Sequence, residues 1–401
     1  MNLRVGVYSD SYPDKRMILN KVSGCEYIQI QNKQEYVIRG MRLFGRTVKF
    51  LRQTEIYAQG VHFTLDAPYY PNIDVVHTFN RICLGDRNQW IATFEKTFPE
   101  YFSDENHIPL NRMRKKLPLL LSDKCLALLP MSDWAFHYEQ WLLEHIATPT
   151  EQQTIERKMA VLYPPQEKMI SERAVCNKFR DIDQLKILFV GSQMKRKGGV
   201  ELIRVLDQLR KEKYRFSAVI VGDFELEYGN FKLSTKEKKD IKAIIENSDW
   251  LEYHKKATNE EILNLAKAAH IGVLPTMGDT FGFSVLEMQA CGCPVVSTDR
   301  QALREINHSE CGWLLETKSA NMIHRDDFAH YSSEEVSQLS EVVQVELYKT
   351  LKNILDQPEQ IAAKAQKALS RIQNKHDPVQ YAAKLQGIYQ QAAYMNTKNS
   401  G

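Results

Sequence analysis

Two acids eight residues apart, Asp279 and Glu287, lie within Leu274–Ser297, which reads LPTMGDTFGFSVLEMQACGCPVVS. The stretch opens on apolar Ile271, Val273 and Leu274, stops at Pro275 and passes through Thr276-Met277-Gly278 before reaching Asp279. In Phe281-Gly282-Phe283, the glycine permits close backbone approach or a positive φ. Ser284–Ala290 is predicted to be a helix, ended by Cys291-Gly292 with Pro294 beyond, and Val295–Ser297 the next strand. A helix opening straight after a strand and loop offers free backbone N–H groups and a positive dipole end, which suits an anion such as a diphosphate. Asp279 precedes that end and Glu287 sits about a turn inside it. An ordinary β–loop–α–β unit, with Asp279 as a cap and Glu287 in solvent, would give the same strand–helix pattern.

A second chemical signal is Gly191-Ser192-Gln193-Met194-Lys195-Arg196-Lys197-Gly198-Gly199, read as a basic loop after the buried strand Ile187–Val190. Arg196 and Lys197 are placed to stabilise negative charge on a departing phosphate group. A basic loop alone is usually just solvated; its position a few α/β units before Asp279 gives it meaning. Tyr253 and His254 end a further strand and could flank a nucleotide base. Upstream, three strand ends carry His77 (after Asp74-Val75-Val76), Glu95 (after Trp90–Phe94) and Ser132 (after Cys125–Pro130). Together they would line one crevice, although each also reads as a satisfied strand-end or surface group.

These residues need a scaffold, and the chain reads as alternating strands and helices, which give parallel doubly wound sheets. Met1–Tyr12 looks like a strand running into the polar loop Ser9-Asp10-Ser11-Tyr12-Pro13, and ligands bind at strand ends of that kind. Tyr163-Pro164-Pro165 breaks the chain where a linker between domains belongs. Helical residues over Ser171–Asp183 follow, then strands at Ile187–Val190, Ala218–Asp223 and Trp250–Tyr253. Thr258-Asn259-Glu260-Glu261 has capping-box form. Thr317–Ser340 is polar and reads as irregular surface; Leu347–Lys375 reads as helices, and Val379–Tyr389 as a final amphipathic helix.

Composition narrows the classes. At 401 residues, 43% hydrophobic and 26% charged, the chain can bury two cores. A net charge of +3 argues neither for nor against nucleic acid, and no such partner is expected from the motifs. The seven cysteines are scattered, and Cys291 and Cys293 lack a second ligand pair for zinc, so a reducing cytosol fits. No apolar run approaches the ~20 residues of a membrane helix. Residues 112–121, Arg112-Met113-Arg114-Lys115-Lys116 followed by Leu117-Pro118-Leu119-Leu120-Leu121, could instead lie peripherally on an anionic membrane; a basic turn beside a core helix is the alternative.

The order acid, Phe-Gly, Glu, Ala-Cys-Gly, Pro-Val-Val resembles the donor-site motif of GT-B retaining glycosyltransferases of family 4, the glycosyl transferases group 1. The family motif is Glu, seven residues, Glu; here the first acid is Asp279. The Lys197-Gly198 pair matches the family's phosphate loop, with Ser192 where an Arg usually follows the first glycine, so that Arg196 could substitute. The N-terminal Gly-Gly pair of the family is represented only by Gly24. The likeness covers Lys186–Leu315 and extends elsewhere in outline.

The resemblance implies an α/β GT-B fold with two Rossmann-like domains facing a cleft: 1–165, joined by a C-terminal helix over 376–401, for the acceptor, and 166–375 for the donor. It implies transfer of a hexose-type sugar from a UDP- or GDP-sugar to an acceptor hydroxyl with retention. The acceptor would be a glycan, lipid-linked or protein group in bacterial envelope or exopolysaccharide synthesis, and the setting cytoplasmic. Lys197, Arg196, Asp279 and His77 would act near the reaction centre. Glu287 would hold the ribose, and Phe281, Gly282, Phe283, Ser284, Ser192 and Tyr253 the rest of the donor. Glu95 and Ser132 would face the acceptor. No Asp-x-Asp motif stands beside the donor elements, so neither a metal nor a cofactor is expected. Three rival readings are weighed against it, and the glycosidase loses. A dinucleotide-dependent oxidoreductase would want Gly-x-Gly-x-x-Gly after the first strand. A glycosidase would need its carboxyl groups roughly 5–9.5 Å apart, against about 12 Å for a fully helical spacing of eight. The third is a degenerate nucleotide- or sugar-binding protein.

Overall fold

The computed structural model describes residues 3–8, 11–30, 72–83, 88–98, 110–180, 182–317, 328 and 331–398. These form two compact units: one from residues up to Pro165 together with Pro378 onward, the other spanning Gln166–Asp377. His376 and Asp377 thus group with the second unit rather than with the terminal helix.

The first unit contains a parallel sheet of β1 (Leu3–Val7), β2 (Cys25–Gln29), β3 (Val75–Phe79), β4 (Trp90–Phe94) and β5 (Cys125–Pro130), in the order β2-β1-β3-β4-β5. β3 and β4 are buried almost throughout, as strands of a parallel sheet covered on both faces are. Trp90, Phe94 and Phe98 pack with Leu128, Leu142 and Leu143 at the centre of this core. The helix Pro378–Lys398 closes the unit: the Tyr381 hydroxyl donates to the Met17 carbonyl at 2.5 Å, and Tyr389 is buried against His77.

The second unit holds β6 (Leu185–Gln193), β7 (Phe216–Asp223), β8 (Leu251–His254), β9 (Ile271–Leu274), β10 (Val295–Thr298) and β11 (Gly312–Leu315), in the order β11-β10-β9-β6-β7-β8. All of these pairings are parallel. β6 is followed by β7 on one side and flanked by β9 on the other, so strand order reverses between β6 and β9. In an open parallel sheet, ligands bind at the carboxyl ends of the strands at such a point. The helix Gly199–Lys211 buries Leu202, Val205, Leu206 and Leu209 on the sheet, at the spacing read from sequence.

Three expectations need correction. β1 ends at Val7, and a helix starts at Tyr12 with Pro13 in its first turn, where the missing N–H costs nothing; Ser9 and Asp10 of the expected loop lie outside the described residues. β6 continues through Ser192 to Gln193, so the basic loop proper begins at Met194. The polar stretch ending at Ser340 is not irregular throughout: a helix runs Ser333–Asp356 from the capping box Ser332/Glu335, and its polarity marks a solvent face. Within 112–121, two short helices point Met113, Leu117 and Leu120 into the first core, at 2%, 3% and 1% exposure. Leu119 and Leu121 pack partly buried against the same core, and Pro118 is exposed.

Among the described residues no helix is long and apolar enough to cross a membrane. All seven cysteines are free thiols.

Candidate active site

The loops leaving β6 and β9 meet at the switch point of the second sheet. Gly198 caps the helix Gly199–Lys211 with φ +76°, and a Cβ there would stand 2.1 Å from the Pro275 carbonyl. Glycine is required on both counts: the left-handed backbone and the approach to the neighbouring loop. The loops are then stitched together. The Met277 N–H donates to the Arg196 carbonyl at 2.8 Å, and the Thr298 hydroxyl, from β10, donates to the Thr276 carbonyl at 2.7 Å.

Asp279 follows this stitched segment and forms an ion pair with Lys197. The two side chains are 11% and 14% exposed. Burial would raise the Asp279 carboxyl, but the Lys197 and Arg196 charges, with hydrogen bonds from Lys197 and the Phe281 backbone, bring it below its ordinary value. The Gln301 side-chain carbonyl accepts from the Asp279 N–H at 3.3 Å.

Gly282, at φ +93°, caps the helix Phe283–Ala290, and a Cβ would meet Leu303 at 2.6 Å. The helix begins at Phe283, one residue earlier than expected, and its first N–H groups open beside Asp279. Phe281 is buried and lies 5.2 Å from the half-buried Phe283 ring; Ser284 is also half-buried. Glu287 is 5% exposed and stands one turn in, where the Asn259 side-chain amide approaches it at 3.4 Å.

The three consecutive cations of the β6 loop take three directions. Lys195 turns inward to Glu201 at 2.5 Å and to Ser340 at 3.1 Å. Arg196 rests on the contacting rings of Tyr228 and Phe328, 5.2 Å from each centroid, and donates to the Gly278 carbonyl. Lys197 alone of the three reaches the acid of the motif. Ser192 is exposed at the end of β6. Tyr253 donates its hydroxyl to the Gly222 carbonyl at 2.8 Å and packs beside Phe224; burial, with Asp223 and Glu225 nearby, pushes its hydroxyl up to about 12. His254 pairs with Glu252 at 2.6 Å.

The sequence-derived residues of the first unit sit differently. His77 is 0% exposed, with Nδ1 2.7 Å from the Tyr389 hydroxyl and Nε2 2.8 Å from the Thr93 hydroxyl. Burial lowers its pKa to about 3, so the ring is neutral. Both nitrogens are engaged inside the unit, where the ring braces β3, β4 and the terminal helix. Ser132 is likewise buried and caps the helix Asp133–Ile146 by accepting from the Ala135 N–H. Glu95 is half-buried, and its N–H donates to Asn80 at 3.1 Å.

Sequence reasoning missed Asn259, Gln301 and Thr276. Asn259 stood in view as the first helical residue after a capping box, but nothing local pairs it with Glu287, 28 positions away.

Comparison with known proteins follows the same geometry. Residues 177–326 match the family model described as Glycosyl transferases group 1. D-inositol 3-phosphate glycosyltransferase of Pseudarthrobacter chlorophenolicus is 29% identical over 133 residues, which is 32% of this chain and 30% of that protein. Its namesake in Paenarthrobacter aurescens is 28% identical over 139 residues, 33% and 32% of the two chains. The chain therefore spans about a third of the curated relatives it matches.

Among solved structures, a UDP-forming alpha, alpha-trehalose-phosphate synthase from Burkholderia xenovorans superposes with a TM-score of 0.60 at 11% identity, covering 98% of this chain and 99% of that one. Anabaena Alr3699/HepE, solved with UDP and glucose, gives 0.56 at 12%, covering 96% and 98%. A glycosyltransferase from Rickettsia africae gives 0.56 at 16%, covering 97% and 90%. The α/β architecture with two parallel sheets is that of the GT-B glycosyltransferases, as the resemblance over Lys186–Leu315 implied.

Proposed function

We propose that this chain, whose residues 177–326 carry the glycosyl transferases group 1 domain on a GT-B fold, is a glycosyltransferase drawing a sugar from a nucleoside diphosphate donor. The observation that carries the reading is the Lys197–Asp279 ion pair, set at the strand-order switch beside a glycine-capped helix N-terminus. The helix N–H groups and the Lys197 ammonium face the place where a diphosphate would lie. Glu287, one turn in, would accept from the two ribose hydroxyls, and the Phe281 and Phe283 rings would shape the donor pocket.

Breaking the anomeric C–O bond leaves growing negative charge on the diphosphate oxygens. Lys197 is the cation to meet it, and positive charge fixed before the reaction needs no reorganisation as it proceeds. Asp279 holds the Lys197 ammonium in place and offers its carboxylate to donor-sugar hydroxyls. Asp is one methylene shorter than the family's Glu, which favours a sugar whose hydroxyls approach the loop closely. The cation that a metal would otherwise supply comes from side chains, so turnover should survive a chelator. The neighbours solved with UDP, or named for forming it, support uridine as the first base to test. Transfer with retention to a glycan, lipid-linked or protein hydroxyl in envelope polysaccharide synthesis is the specific reaction we propose.

A thermal-shift panel of UDP, GDP, ADP, NAD and their sugar conjugates tests this. A ligand that binds only the native state adds RT ln(1 + [L]/Kd), about 2.7 kcal/mol at 100-fold over Kd. Stabilisation by one nucleoside diphosphate and its sugar form supports the donor site and names the base. A response to NAD alone would replace the reading with a redox enzyme. No response to any ligand would leave a binding protein that has lost its donor site.

A further inference from the structure

We infer that Arg196 is a positioning residue: seated on the touching rings of Tyr228 and Phe328, it holds the loop that presents Asp279 in place and is not the cation that meets the leaving diphosphate. The inference rests on the donor site proposed above and assigns a division of labour within it. One residue grips three successive residues of the neighbouring loop. The Arg196 carbonyl accepts from the Met277 N–H at 2.8 Å and lies 3.2 Å from the Thr276 hydroxyl, while its guanidinium donates to the Gly278 carbonyl. Its Nε donates to Gln193 at 2.5 Å, which ties the grip back to the end of β6.

The two rings meet each other at a tilt of 48° with centroids 5.7 Å apart, and the guanidinium carbon rests 5.2 Å from each. Gly278 packs flat against the same Phe328, where a Cβ would stand 2.2 Å from the ring. The clasp therefore joins four parts of the second unit (the end of β6, Tyr228, Phe328 and the loop after β9), and Asp279 is the next residue along that loop. Lys197 points the other way, at the carboxylate itself.

Among the described residues the charges facing Asp279 are Lys197 and Arg196, both from the β6 loop; Gln301, beyond β10, is neutral, and Phe281 adds a backbone N–H. Removing Arg196 therefore takes away the grip and one of the two cations that keep the carboxylate ionised. A lysine keeps the charge but has no planar fork of donors to reach both Gln193 and the Gly278 carbonyl while resting on the two rings.

The test compares Arg196→Met, Arg196→Lys and Tyr228→Leu with the wild type, measuring donor turnover against pH and UDP affinity by calorimetry. Misplacement of a reacting group by about 1 Å costs on the order of 100-fold in rate, so kcat should fall at least tenfold in all three variants. UDP affinity should stay within about threefold of wild type, since the phosphate cation is still present. The acid limb of the pH profile should move up for Arg196→Met and stay in place for Arg196→Lys, because only the first loses charge beside Asp279.

Tyr228→Leu leaves every cation in place; a fall in its kcat with unchanged UDP affinity supports the clasp even if Arg196→Met fails to fold. The inference is overturned if Arg196→Met and Arg196→Lys both bind UDP at least tenfold more weakly while Tyr228→Leu turns over normally, since that pattern belongs to a phosphate ligand. If the wild type itself neither binds nor turns over any nucleoside diphosphate sugar, the proposed function fails instead, and the two failures are distinct.

Discussion

Replacing Lys197 by Met should leave the Asp279 carboxylate buried with Arg196 as its remaining side-chain cation among the described residues. The two partners are only 14% and 11% exposed, so solvent screens the pair little. Breaking a buried pair from one side costs about 3–5 kcal/mol, because one charge stays buried without its partner. The double variant Lys197→Met/Asp279→Asn removes both charges and should recover most of that loss. The cycle should give a coupling energy of about 3 kcal/mol, at the upper end for contacting residues.

The pH dependence follows from the same contact. In the wild type the carboxyl is held below its ordinary value, so its contribution is present above the unfolded value of about 3.9 and lost as pH falls through the folded one. In Lys197→Met, burial meets less opposition and the folded value should rise above the unfolded one. The sign then reverses: stability is greatest below the unfolded value and lost as pH rises through the folded value. The gap between variant and wild type should be widest near pH 7 and narrow on acidification. Urea titrations of the four proteins at several pH values measure it. A loss under about 1 kcal/mol at pH 7, or additive single variants, would refute the buried-pair argument. On the chemical side, Lys197→Met should lower kcat about 100- to 1000-fold, as loss of one preorganised donor to developing charge does.

Three further outcomes are expected. Glu287→Ala should weaken UDP binding about 10- to 100-fold, the size of lost hydrogen bonds to a charged group, with calorimetry as the readout; unchanged affinity removes Glu287 from the ribose. Gly282→Ala should cost at least about 1–2 kcal/mol in denaturant titrations, since φ is +93° and the new methyl meets Leu303; a neutral result would contradict that backbone geometry. His77, with a folded value near 3 against 6.5 unfolded, should contribute stability above about pH 6.5 that is lost as pH falls towards 3. Thermal melts of wild type and His77→Gln across that range should differ in slope, with turnover kept; a hundredfold loss of kcat in a folded His77→Gln would return the ring to the reaction.

Much of the second unit was legible in advance because its signals are local. Strand, glycine, apolar helix and capping box each occupy fewer than fifteen consecutive residues, and Gly198 and Gly282 fall where a helix must open on a positive φ. The Asp279 and Glu287 spacing places one acid before a helix and the other a turn inside it whatever the surroundings. The first unit was harder to read. Leu117 and Leu120 follow a basic cluster, and a membrane surface or a protein core would both accept that pattern; burial in the core decided between them.

What the sequence determined by itself was therefore the α/β order, the loops at the strand ends and the pair of acids that bracket a helix start. What only the tertiary structure decided was the direction of each polar side chain. Lys195, Arg196 and Lys197 are neighbours of like charge, yet their destinies are set by Ser340, Phe328 and Asp279, which come from three different parts of the chain. His77 is a strand-end histidine by sequence and a sealed strut in the fold because Tyr389 arrives from a helix 312 residues away. The physical reason is common to all of these. Backbone periodicity is set by near neighbours, whereas the cost of burying a charge or a polar ring is decided by whichever distant partner folding brings within hydrogen-bonding distance.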